Sequence, residues 1–232
     1  MQPPTLTIEA ELWPLVLDAL AGGQLDGDAR TRLVAADILA ADGRAFAPDA
    51  ARTLAGLADA RAVVSVRTVR ARTAADLDLF LAPGQSTAVE RVADRLFLSS
   101  VATAVAPVRL AEQLGIGPRG IPSVALPVAV SSDLLPALLE GDHGRVLACV
   151  DELVGTFAAR DGAVADAIEA GDWRLSLIHM ARGEQTEGIV LFDTRAGLFV
   201  VGVDMDEVTL TPTTTAELWR RISGSLALAV DA

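Results

Sequence analysis

Hydrophobic residues near the N-terminus recur at the spacing of an α-helix. In "IEAELWPLVLDALAGG", Leu12, Leu15, Val16 and Leu20 fall near one helical face, and the pattern ends in a pair of glycines. A second helix is predicted for "PDAARTLAGLADA", where Pro48 suits the first turn. The chain therefore begins with a helical region.

From Arg61 to Val101 the period of the pattern changes to two, which is typical of β-strands. Leu77, Leu79 and Leu81 share one strand face. The predicted strands are "RAVVSVRTVRA", "DLDLFLAPG", "STAVERVAD" and "RLFLSSV". A helix is expected to follow them and to end at Gly115, since glycine is the preferred residue just past a helix C-terminus.

The same order of elements recurs in the second part of the chain. Helices are predicted at Ser132 to Leu139 and Arg145 to Ile168, and a last helix is predicted at "TTAELWRRISGSLALAV", where Thr214 and Glu217 fit a capping box. Four more strands are predicted between Ile168 and this last helix: "WRLSLIHMA", "TEGIVLFDT", "AGLFVVGVD" and "DEVTLTPT".

Sliding the second series onto the first at an offset of 112 residues tests for an internal repeat. The offset aligns apolar and polar positions in register: Asp94 with Asp206, Leu96 with Val208, Leu98 with Leu210, Thr103 with Thr215, Ala104 with Ala216, Leu110 with Ile222 and Leu114 with Leu226. Two interpretations fit, a chance likeness between strand-to-helix passages and a duplicated unit. Duplication predicts an α+β fold, in which two strand meanders join into one antiparallel sheet flanked by helices. The halves would be about 1–120 and 121–232 of one domain.

The motif "GIGPRG", Gly115 to Gly120, has the spacing of a dinucleotide-binding turn. That turn works only where it leaves a strand and opens a helix. Here a predicted helix precedes it, Pro118 has no amide hydrogen to offer a phosphate, and the extended run "IPSVALPVAV" follows. A connector between the two halves is the better interpretation.

Composition narrows the classes of function. The 232 residues are half apolar and carry a formal charge of −12, with no cluster of basic residues, so a large core is expected and a nucleic-acid or anionic-membrane partner is not. One cysteine, Cys149, excludes an internal disulfide and a site with several thiolate ligands. No secretory signal and no apolar run of the ~18 residues needed to span a bilayer are visible, so a cytoplasmic protein is expected.

Candidate catalytic groups are few. His179 shares a strand face with apolar residues, so a satisfied or partly buried histidine is expected. His143 follows Asp142 in a turn, six residues before Cys149, but a helix there would bury the thiol among apolar neighbours. The acidic turn "DMDE", Asp204 to Glu207, lacks the spacing of a calcium loop. The sequence predicts no catalytic residue, metal or cofactor.

The strand "AGLFVVGVDM" is apolar on both faces. Burial by the protein's own helices explains this most simply, whereas the functional alternative is contact with a hydrophobic partner. On that alternative, the predicted partner-binding residues are those of this strand and one from the following helix: Leu198, Phe199, Val200, Val201, Val203 and Trp219.

Taken together, the chain resembles the EspG family, the cytosolic chaperones of actinobacterial type VII (ESX) secretion systems. The resemblance is carried by "LTIEAELWPLVLDAL", "RTAADLDLFLAPGQSTAVERVADRLFLSSV", "PSVALP" and "GIVLFDTRAGLFVVGVDMDEVTLTPTTTAELWRRI". It implies a quasi-two-fold fold, with a central antiparallel sheet flanked by helical bundles. It also implies that the protein binds the apolar tip of a helical PE and PPE heterodimer.

The departure from the family lies in "RARTAADLD", where well-known members have a longer loop that contributes to partner recognition. The identity of the client therefore stays open. The leading hypothesis is a non-enzymatic, cytoplasmic chaperone for a secreted helical client, PE/PPE-like or another ESX client. The alternatives are a self-associating structural or regulatory protein that forms a homodimer through the same strand, and an enzyme that uses Cys149, His143 or Asp142.

Overall fold

A computed structural model describes residues 5–122, 127–204 and 207–230 of the chain. Its first series of elements runs strand, three helices, four strands, helix. The elements are β1 Thr5–Glu9, α1 Trp13–Leu20, α2 Gly27–Ala35, α3 Pro48–Ala58, β2 Ala62–Arg70, β3 Ala74–Leu81, β4 Gln85–Val92, β5 Arg95–Ala102 and α4 Ala106–Leu114.

The second series repeats this order element by element. It consists of β6 Val128–Val130, α5 Leu134–Glu140, α6 His143–Ala158, α7 Gly162–Glu169, β7 Trp173–Arg182, β8 Gln185–Thr194, β9 Gly197–Asp204, β10 Glu207–Thr213 and α8 Thr215–Val230. At the offset of 112, β4 and β9 begin at equivalent residues, as do β5 and β10. The predicted duplicated unit is confirmed, although Asp206 lies outside the described residues.

The described strands form one ten-stranded sheet in the order β1-β5-β4-β3-β2-β7-β8-β9-β10-β6. Each strand of the first unit has its equivalent at the same distance from the centre of the sheet in the second unit. At the centre, β2 pairs antiparallel with its own equivalent, β7. At the centre of that pair, Val66 lies opposite Ile178. These two residues are themselves equivalent at the offset of 112, so a quasi-two-fold axis passes between them.

The helices that cover the sheet lie over its middle on one side and over its two ends on the other side. On one side, α4 and α8 pack over the middle of the sheet and close a core that contains Val66 and Ile178 together with Leu110 and Ile222 of the two helices. On the other side, α1–α3 pack over the β1 end of the sheet and α5–α7 pack over the β6 end. The expected α+β architecture, a central antiparallel sheet flanked by helical bundles, is confirmed.

Several local elements differ from the sequence prediction. Ile8, expected in the first helix, lies in β1, which pairs with β5, and α2 was not predicted. The predicted helix from Arg145 to Ile168 is two helices. The first ends at Ala158 and the second begins at Gly162, where the Asp161 carboxylate accepts a hydrogen bond from the Val164 amide (3.4 Å) as an N-cap. The apolar pattern continues across this break and did not show it.

The "GIGPRG" segment is a connector, as predicted. Gly115 ends α4 in the left-handed conformation, with φ of 58°, which glycine adopts without a steric cost. The carbonyl oxygen of Gly117 accepts a hydrogen bond from Thr215 Oγ1 at 2.8 Å, so the connector also reaches the start of α8. The Thr214 hydroxyl accepts from the Glu217 amide at 3.2 Å, which is one of the two hydrogen bonds of the predicted capping box. The Glu217 carboxylate accepts from Thr213 Oγ1 at 3.5 Å.

Helix α3 approaches strand β4 closely at Gly56, so a substitution there tests how these two elements pack. A Cβ at this position would lie 2.6 Å from the Ser86 carbonyl carbon and 2.7 Å from the Thr87 nitrogen. We expect Gly56→Ala to destabilise the protein by ~1–3 kcal/mol, because backbone atoms cannot move aside as a flexible side chain can. Urea unfolding measures the change.

Gly155 in α6 is the matched control, since a Cβ there meets no atom within 4 Å. Gly155→Ala should stabilise the protein by ~0.5–1 kcal/mol through helix propensity alone. If both alanine variants are equally stabilised, the close contact between α3 and β4 is wrong.

Candidate functional site

In the part of the chain that the structure describes, no helix core closes over the middle of the sheet on the side that carries the two helical bundles, and the residues there are half-buried or exposed. Along β2, Val64 and Val66 are buried by α4 and α8, whereas the alternate residues Val63 and Ser65 reach solvent. Strand β7 shows the same alternation, with Ile178 buried and His179 exposed. Because side chains alternate between the faces of a strand, the solvent-facing set lies on one side of the sheet.

The strand registers place these residues in rows across β3, β2, β7 and β8. The central row is Asp78, Ser65, His179 and Gly188; the rows on either side are Asp76, Arg67, Leu177, Val190 and Phe80, Val63, Ala181, Thr186. We call these twelve residues the central sheet surface. All of them are exposed or half-buried. The surface mixes apolar, hydroxyl and charged groups, as binding surfaces do.

Arg67 joins this surface to the neighbouring bundle. Its Nε donates to Asp76 Oδ1 at 3.0 Å, and its Nη1 donates to the Leu139 carbonyl oxygen at 3.2 Å near the end of α5. A guanidinium at the C-terminal end of a helix is favourable because it meets carbonyls that have no partner within the helix. Leu139 itself is 64% exposed, so an apolar side chain stands at the border of the surface.

The dimensions of the central sheet surface suit a helix. Four strands spaced ~4.8 Å apart give a floor ~14 Å wide, and an α-helix with its side chains is ~10–12 Å wide. The helices α1–α3 and α5–α7 pack over the two ends of the same side of the sheet. The shape is therefore that of a shallow trough with helical walls.

The strand predicted to bind a partner lies elsewhere. Leu198, Phe199 and Val201 are buried in the core, with the Phe199 ring centroid 5.4 Å from that of Phe157 and 6.2 Å from that of Phe192. A strand that is apolar on both faces is covered on both faces, so these three side chains are core residues and are not at the surface.

The other three predicted residues reach solvent to different extents. Val203 is 63% exposed, and Val200 and Trp219 are half-buried. They do not belong to the central sheet surface, and their role in binding stays a prediction. The residues that sequence reasoning missed lie on β2, β3, β7 and β8. The signal that could have found them is the alternation of apolar and polar residues, as in "RAVVSVRTVRA" and "DLDLFLAPG", which indicates a strand with one open face.

The candidate catalytic residues do not come together. Cys149 is buried in α6, and burial raises the pKa of its thiol. His143 begins the same helix, and six residues of helix separate it from Cys149 by ~9 Å along the axis and place it on another face. Asp142 caps this helix by accepting from the Arg145 amide at 3.1 Å. His179 is exposed, which corrects the expectation of a partly buried histidine.

The acidic turn "DMDE" cannot be placed as a whole, because Met205 and Asp206 lie outside the described residues. Among the residues that are described, no group of three or more histidine, cysteine or acidic side chains is arranged to hold a metal ion. None of the described helices combines the length and the apolar character that crossing a membrane needs.

Comparison with known proteins gives a likeness of fold. No protein-family model and no curated protein matches the chain. A solved structure does match, that of the Mycobacterium tuberculosis type VII secretion system chaperone EspG5 in complex with a PE25-PPE41 dimer. The match covers 96% of this chain and 95% of that chain, with a TM-score of 0.54 and 12% sequence identity. The fold is thus similar to that of a secretion chaperone.

The burial of Cys149 predicts slow reaction with alkylating agents. A raised thiol pKa lowers the fraction of reactive thiolate at neutral pH, by roughly tenfold for each pKa unit. We expect iodoacetamide to modify the native protein at pH 7 at least ~10-fold more slowly than the urea-unfolded chain. Mass spectrometry measures both rates, and Cys149→Ser is the control for labelling at other residues. Fast labelling of the native protein at pH 7 would instead indicate a thiol activated for chemistry.

Proposed function

We propose that this protein is a non-enzymatic, cytoplasmic chaperone that binds a secreted helical client, PE/PPE-like or another client of a type VII system, through the central sheet surface. One observation carries the proposal. The middle of the sheet is left open between two helical bundles, in a fold similar to that of EspG5, a chaperone solved in complex with a PE25-PPE41 dimer.

The chemistry of the trough supports a helical occupant. Val63, Leu177 and Val190 lie beside Arg67 and Asp76. All three are half-buried, and Leu177 and Val190 also pack against the core under α5–α7. A client helix with an apolar tip would bury the part of these side chains that still reaches solvent and meet the charged pair at its edge, which is the usual arrangement of an apolar centre with a polar rim. The exposed Leu139 extends the apolar contact to the wall formed by α5.

A glycine on the floor of the trough allows a direct test. Gly188 lies in the central row, and a Cβ there meets no atom within 4 Å. Gly188→Arg should therefore fold normally while its side chain fills the trough. We expect at least ~10-fold weaker client binding, equivalent to ~1.4 kcal/mol.

The matched control is Gly202→Arg on β9, where a Cβ would make only an ordinary contact of 3.8 Å with Thr209. The experiment first identifies the client as the stoichiometric partner that the wild-type protein recovers from a lysate of its own host. Each variant is then co-expressed with that client, and the complex is quantified by size-exclusion chromatography.

The outcomes separate the hypotheses. Loss of the complex with Gly188→Arg but not with Gly202→Arg supports the central sheet surface. The reverse result would place the client on the side of β9 that faces α8, near Val200. Recovery of only the protein itself, in a larger assembly, would favour self-association.

A further inference from the structure

A cleft of about 360 Å³ lies at one end of the β2–β7 pair, away from the centre of the sheet. Its charged lining consists of Arg70, Arg119, Arg174, Arg195, Asp172 and Asp193. Four arginines against two aspartates leave an excess of positive charge, although the whole chain carries −12. This local reversal of charge needs an explanation.

Two of the arginines are neutralised by carboxylates. Arg119 forms a two-point ion pair with Asp193, at 2.7 Å from Nε to Oδ1 and 2.9 Å from Nη2 to Oδ2, and its Nη2 also donates to the Gly115 carbonyl oxygen at 2.8 Å. Arg195 lies 3.6 Å from Asp172 in a more exposed pair. The cationic excess therefore rests on Arg70 and Arg174.

Arg174 is the unusual member of the cleft. In the described part of the chain, its Nε and Nη1 atoms are buried and have no hydrogen-bond partner. Its guanidinium packs against the end of α4 so closely that a Cβ at Gly115 would collide with it. Burial lowers the pKa of Arg174, and the positive charge of Arg70 lowers it further. Two buried donor nitrogens without acceptors are costly, even though the nearby charge of Asp193 favours the cation, so an absent acceptor is implied.

The repeat shows that the fold does not require this charge. At the offset of 112, Arg174 corresponds to Ala62 and Asp193 corresponds to Leu81. At the equivalent end of the sheet, which is lined by Ala62 and Arg182, the position of Arg174 is thus held by an alanine. The two charged residues Arg174 and Asp193 therefore stand where the first unit has the apolar residues Ala62 and Leu81.

We propose that this cleft binds a small oxyanion, a carboxylate or a phosphate group, held by Arg174 with Arg70 at the rim. A guanidinium presents paired N–H groups that match the geometry of both kinds of anion. The cleft volume also leaves room for a small organic body attached to the anion. This site is separate from the central sheet surface and does not depend on the proposed client.

The test uses the full-length protein in chloride buffer at constant ionic strength. Inorganic phosphate and sodium acetate are titrated separately while the ¹⁵N–¹H signal of Arg174 Nε is followed by NMR. A saturable shift with either probe supports the site, and the probe with the tighter binding identifies the class of anion. Shifts that stay linear with both probes would overturn the proposal.

Three variants locate the site. Arg174→Ala reproduces the residue found at the equivalent position, Ala62, and is expected to fold; Arg70→Gln alters an exposed side chain. Anion binding, followed for all variants by the thermal unfolding midpoint, should weaken at least ~10-fold in both. Arg182→Gln, at the position equivalent to Arg70, is the matched control and should bind as the wild type does. An equal loss in the control would show general charge screening and would also overturn the proposal.

Discussion

The pairing of β2 with β7 is the contact on which the rest of the molecule depends. It joins the two repeated units into one sheet, with Val66 opposite Ile178 on the quasi-two-fold axis. It also creates the floor on which α4 and α8 meet, because these helices share one core with residues from both units. A single unit would leave β2 as an edge strand with unpaired backbone groups, and would leave the apolar side of α4 without half of its cover.

The fold was predictable from the sequence because its hydrophobic residues recur with the periods of helices and strands, and because the same order of elements occurs twice. The change from helical to alternating patterns marks the strands, and the offset of 112 aligns β2–β5 with β7–β10. What could not be predicted are the elements whose formation depends on distant partners. Strands β1 and β6 are short and owe their conformation to pairing with β5 and β10. The break before α7 is marked by an N-cap at Asp161, which interrupts no apolar position of the pattern.

The candidate surface was harder to predict than the fold for a physical reason. Apolar character on both faces of a strand looks like surface available to a partner, but it is also what a doubly covered strand requires. Leu198 and Phe199 point to opposite sides of β9 and are buried by different helices. The open surface instead lies on strands whose alternate residues are less apolar, such as Ser65 and His179. Likewise, the glycines of "GIGPRG" suggested a phosphate turn, whereas an arginine of the motif, Arg119, helps to line the charged cleft.

The position of the trough on the quasi-two-fold axis bears on how a client would be oriented. A client helix can lie on the backbone of the trough in two nearly equivalent directions, related by a half turn. The side chains of the trough make these two directions different. Asp76 and Asp78 lie on the side of the first unit, whereas their equivalents at the offset of 112 are the uncharged Gly188 and Val190. Duplication has thus supplied a symmetrical platform, and divergence of a few side chains gives it a direction.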